Sequence, residues 1–118
     1  PSNSSALHEL AILCIQAQNL NKAELYLNQI LQFQPHNVHI MNDLAVVLDM
    51  QGKTKQACSI LQEIITLAPN YPDAYSNLGK IYTNQGKLDQ AEQYFKQALQ
   101  IKPDHLLAIN NIAAIYMQ

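Results

Sequence analysis

His36 and His39 stand three residues apart, a spacing that could bring two imidazoles to one metal ion. No cysteine or further histidine lies near them, so they read as two surface histidines, and no metal or other cofactor is expected. Cys14 and Cys58 are 44 residues apart without a CxxC step, which indicates neither a zinc ribbon nor a disulfide framework. Cys58 has no histidine or lysine placed in sequence to activate its thiol. The chain has no GxGxxG, no phosphate-binding loop, no GxSxG and no HExxH. Catalytic chemistry needs convergent groups, and none are offered, so an enzyme is not expected.

What the composition does offer is amide. The 11 Asn and 14 Gln outnumber the 16 charged residues, and each carboxamide both donates and accepts hydrogen bonds. Such a surface suits neutral polar chains. All seven basic residues are lysines, set against nine Asp and Glu. Without arginine's planar fork and without a basic patch, a nucleic-acid partner is not expected. No apolar run approaches the ~20 residues that span a bilayer, so membrane insertion is not expected either. Two unpaired cysteines fit a reducing compartment, and a cytoplasmic location is expected.

These side chains are positioned by a repeat. Pro35, Pro69 and Pro103 recur every 34 residues. Residues 38–71 and 72–105 share seven identities, among them Leu44/Leu78, Gly52/Gly86, Ala57/Ala91 and Pro69/Pro103. Residues 4–37 follow more loosely, with Leu10, Ala11, Ala23, Leu27 and Ile30 in register. Apolar residues return at three and four, so each period holds two amphipathic helices. The spacing predicts helices at about 5–18, 21–34, 38–50, 54–67, 72–84, 88–101 and 105–118. Gly52 and Gly86 fall between paired helices, where Gln18-Asn19 stands in the first period. Asn21 with Glu24 suggests a capping box at the second helix. Each proline ends a second helix.

Tyr75, Leu78, Gly79, Tyr82, Ala91, Phe95, Ala98 and Pro103 together resemble the tetratricopeptide repeat (TPR), and the two earlier periods carry volume-compatible versions. The resemblance covers essentially the whole chain. It implies an all-α, right-handed TPR solenoid of antiparallel helix pairs with seven helices. The repeats fall at 4–37, 38–71 and 72–105, followed by a lone first helix of a truncated fourth repeat at 106–118. Cys14 takes the slot of Leu48 and Tyr82 and is expected to be a small buried hydrophobe.

In this family the first helix of each pair lines the concave side, and equivalent residues form columns. Those columns are Ser5, His39, Asp73, Leu107; then His8, Asn42, Ser76, Asn110; then Glu9, Asp43, Asn77, Asn111. Further along come Ile12, Val46, Lys80, Ala114 and then Gln16, Met50, Asn84, Gln118, with Asp49 beside them. Counting Glu9, Asp43, Asp49 and Asp73 against Lys80 leaves a formal −3, which favours a neutral or basic extended segment. Family members that dock acidic chaperone tails use a Lys/Asn/Arg clamp. The matching positions here are His8, Ile12, Asp43, Asp73 and Asn77, so that clamp is missing. An asparagine column like that of the O-GlcNAc transferase superhelix is a better likeness. Asn77 and Asn111 match it, whereas Asp43 and Glu9 depart from it.

The expected function is therefore a protein-interaction scaffold binding a protein or peptide ligand. One alternative is a recruiting arm of a larger enzyme such as a glycosyltransferase, and another is a homo-oligomerisation module. From Leu106 to Gln118 all but three residues are apolar. Such a helix suggests a piece excised from a longer protein, or an end that self-associates weakly. Ile112 and Tyr116 are expected to pack back on the sixth helix and Ile115 to stay bare.

Overall fold

A computed structural model describes residues 4–117, which form α-helices and, among the described residues, no strand. The chain divides into two compact units between Ile60 and Leu61. The first holds α1 (Ser4–Gln16), α2 (Leu20–Phe33), α3 (Val38–Met50) and the opening of α4 (Thr54–Leu67). The second holds the rest of α4, then α5 (Pro72–Asn84), α6 (Leu88–Ile101) and α7 (Leu106–Tyr116). Four helices have the bounds expected from periodicity, α1 and α2 differ by one or two residues at both ends, and α7 starts one residue later than expected. The expected Gln118 end of the last helix lies outside the described residues.

Three tight turns repeat one design. Asn19, Lys53 and Lys87 each donate their backbone N–H five residues back, to Cys14, Leu48 and Tyr82, at 2.7, 2.8 and 2.9 Å. This six-to-one bond closes a Schellman motif, and the residue before its donor must take a left-handed conformation. Gly52 and Gly86 do so at φ 84° and 79°, and Gln18 does so at 62°. The capping expectation at α2 needs correcting. Helix α2 begins two residues before the Asn21–Glu24 box would allow, and Asn19 accepts from the Lys22 N–H instead. Asn21 accepts from the side chain of Gln51. At the other ends, Gln34 and Lys102 leave the helical region one residue before Pro35 and Pro103, as the proline ring requires.

Small residues sit at the core of each unit. The first buries Ala11, Ala23, Ala45 and Ala57 together with Leu27, Ile30, Leu44, Val47 and Leu48. The second builds a cluster from Ala91, Phe95, Ala98 and Ala108, against which Tyr75, Tyr82, Leu99, Ile112 and Ile115 pack. Ile115 therefore faces inward, contrary to the expectation for the last helix. Ile112 packs as expected, while Tyr116 stays 61% exposed and meets α6 through a hydrogen bond to Glu92. Residues 112 and 115 are three apart and share a helix face, so one face of α7 is satisfied by both isoleucines. Cys14 is half-buried rather than buried, and so is Cys58.

Candidate functional site

In the first unit the strip expected to bind ligand is carried by α1 and α3. His8 Nε2 lies 2.8 Å from Asp43 Oδ2 with both side chains half-buried, so this contact ties the two helices together. Asp49 accepts a hydrogen bond from the Thr54 hydroxyl at 3.1 Å. Glu9, Ile12 and His39 are exposed, and Val46 is half-buried. Asn42 differs from its column: only 8% of it is exposed, so it belongs to the packed interior rather than to an open face. Ser76, its equivalent one period later, is fully buried as well, with no hydrogen-bond partner for its hydroxyl. The middle of that column thus turns inward, while His8 and Asn110 at its ends remain half-buried and exposed.

In the second unit α5 and α7 carry the strip. Asp73 Oδ1 stands 3.2 Å from Nε2 of His105, the residue that precedes α7. The imidazole is nearly buried, and the pair has the separation of an ion pair without hydrogen-bond alignment. Asn77 is half-buried, and Lys80, Asn84 and Asn110 are exposed. Asn111 is half-buried and donates Nδ2 to the Leu107 carbonyl at 2.7 Å, so one of its two amide hydrogens is held by its own helix. The two His–Asp contacts were missed from sequence, because the charge count treated Asp43 and Asp73 as unopposed. Their separations of 35 and 32 residues lie close to one period, which was the available signal.

A further cluster joins Tyr82 of α5 with Lys87, Tyr94 of α6 and Gln62 of α4. Tyr82 and Tyr94 stack in parallel, centroids 5.4 Å apart and planes 8° apart, and Lys87 Nζ lies 5.7 Å from the Tyr82 centroid. Gln62 Nε2 donates to the Tyr94 hydroxyl at 3.2 Å. Among the described residues no three His, Cys, Asp or Glu gather to hold a metal, and no helix is long and apolar enough to cross a membrane.

Antiparallel helix pairs of one length, one turn design and one set of small buried positions define a helical-repeat interaction fold. Tetratricopeptide repeat models match residues 16–81 and 72–105, and the chain belongs to the tetratricopeptide repeat family, an all-α solenoid fold. No curated protein sequence matches it significantly. Among solved structures, the first TPR of Spaghetti (RPAP3) bound to the HSP90 peptide SRMEEVD is 20% identical, with 98% of this chain and 92% of that one covered and a TM-score of 0.83. MamA is 26% identical over 99% of this chain and 68% of its own, with a TM-score of 0.80. The O-GlcNAc transferase of Thermobaculum terrenum is 20% identical over 97% of this chain and 22% of its own, with a TM-score of 0.86.

Proposed function

We propose that this chain is a protein-interaction scaffold whose first helices hold an extended, neutral-to-basic peptide segment. One observation carries the reading: α1 and α3 hold three carboxylates, Glu9, Asp43 and Asp49, and not one lysine. Asp43 has His8 beside it and Asp49 accepts from Thr54, yet with no lysine on either helix the set attracts cationic side chains and repels anionic ones. In the second unit Asp73 and Lys80 offset each other, and the amides of Asn77, Asn84, Asn110 and Asn111 suit an uncharged backbone. The RPAP3 domain, solved with a peptide ending in acids, supports peptide binding by this fold. The charge of α1 and α3 argues for the opposite ligand sign here.

Calorimetric titration with three peptides of equal length tests this: a lysine-rich one, an uncharged one and SRMEEVD. Affinity should fall in that order, and the spread should narrow as salt shortens the Debye length to ~8 Å at physiological ionic strength. Tighter binding of SRMEEVD would overturn the reading.

Self-association is a second reading, favoured by Leu106, Ile109 and Met117, which are 70%, 37% and 87% exposed on or beside α7. Sedimentation should then show a concentration-dependent dimer that Leu106→Lys removes. A monomer at every concentration would exclude it.

A further inference from the structure

We propose that the first unit carries a socket for a tyrosine side chain of a partner protein, formed by α2, α3 and α4 and separate from the peptide strip. The second unit shows which groups such a place accommodates. There Tyr82 and Tyr94 stack at 5.4 Å, and Gln62 donates to the Tyr94 hydroxyl. One 34-residue period earlier the same three positions are Leu48, Ile60 and Asn28. Two phenol rings become two aliphatic side chains, and the amide is retained. The first unit is left with a hollow of about 430 Å³, lined by Leu44, Leu48 and Ile60 with Glu24, Asn28 and Ser59 among its polar groups. The corresponding hollow beside Tyr82 and Tyr94 is about 230 Å³.

The lining selects the occupant. Buried Leu44 and Leu48 offer apolar contact, so a charged side chain entering there would lose hydration without compensation. A phenyl ring would fill the space but gain no bond from the Asn28 amide, which would stay with water. A phenol does both: its ring packs on Leu44, Leu48 and Ile60, and its oxygen accepts from Asn28 as Tyr94 accepts from Gln62. The Glu24 carboxylate, which Lys53 also contacts at 3.2 Å, lies among the lining groups to accept a hydrogen bond from the phenol hydroxyl. Tyrosine, with an apolar body and a polar tip, is the side chain that interfaces use in such places.

The test is an NMR titration of the chain with p-cresol, the tyrosine side-chain analogue, and in parallel with toluene. Backbone amide shifts should concentrate on residues 24–28, 44–48 and 56–60 and be larger for p-cresol. Ile60→Tyr restores the third period's own ring and should remove the response while helicity by circular dichroism stays unchanged. Asn28→Leu, at an exposed position, should reduce the p-cresol response to that of toluene, and it decides the matter alone if the tyrosine variant does not fold. Shifts centred elsewhere, equal responses to the two probes, or an undiminished response in a folded Ile60→Tyr chain would overturn the socket.

Discussion

A Cβ added to Gly79 would stand 2.7 Å from Cε1 of Phe95, closer than carbon atoms approach without movement, and Phe95 is fully buried. The close crossing of α5 and α6 depends on that missing atom. In an open helix Gly→Ala gains about 1 kcal/mol of helix propensity. Here overpacking of ~1–3 kcal/mol opposes it, so Gly79→Ala should destabilise the chain by about 1 kcal/mol. Adding Phe95→Leu should cost less in the alanine background than alone, because the smaller side chain relieves the clash. Urea midpoints of the two single variants and the double variant measure this; a stabilised Gly79→Ala chain refutes it.

Gln18 occupies the left-handed turn position that Gly52 and Gly86 fill in the later periods. A side chain there carries a penalty of ~1–2 kcal/mol, part of which a glycine returns through its more disordered unfolded state. Gln18→Gly should therefore raise stability by about 0.5 kcal/mol, and Gly52→Ala should lower it. Thermal melts of the pair would show opposite shifts; shifts in the same direction would contradict the assignment.

These positions also show how far the sequence could be read. The period and the turn sites were legible because each follows from spacing and local backbone geometry. The cap at α2 was misplaced because Asn19 and Asn21 are chemically identical, and the six-to-one turn bond selects between them. At the site, Glu9 and Lys80 lie exposed as their register implies, whereas Asn42 does not. A column assignment gives a residue's height along a helix, but burial depends on side chains of neighbouring helices. The same limit concealed the His8–Asp43 and His105–Asp73 contacts, which join different segments and leave no local pattern.

Tyr116 gives a pH-dependent readout of the last helix. Its hydrogen bond to Glu92 raises its pKa above the usual 10.0, with desolvation and the carboxylate's negative charge acting in the same direction. Because the folded-state value is raised, the added stability is present below pH 10 and is lost as pH rises through the shifted value. Glu92→Gln should return the Tyr116 titration toward ordinary tyrosine, followed by ring-carbon NMR. An unchanged titration would mean that the Tyr116–Glu92 contact does not form in solution.

The asparagines of the second unit allow the sharpest test of how peptide would be held. Asn111 gives one amide hydrogen to Leu107, so toward a ligand it offers Oδ1 to a backbone N–H and its second hydrogen to a backbone carbonyl. Asn77, one period earlier, is half-buried on α5. A neutral hydrogen bond is worth ~0.5–1.5 kcal/mol net. Asn111→Ala should accordingly weaken an uncharged extended peptide by about 1 kcal/mol, and the double variant with Asn77→Ala by about 1–3 kcal/mol, with helicity unchanged. Asn111→Asp keeps an accepting oxygen but adds charge, so it should retain more binding than alanine for a lysine-rich peptide than for an uncharged one. Calorimetry across the three variants and both peptides separates the two effects. Equal affinities throughout would remove the asparagines from the binding surface and leave the carboxylates of α1 and α3 as its basis.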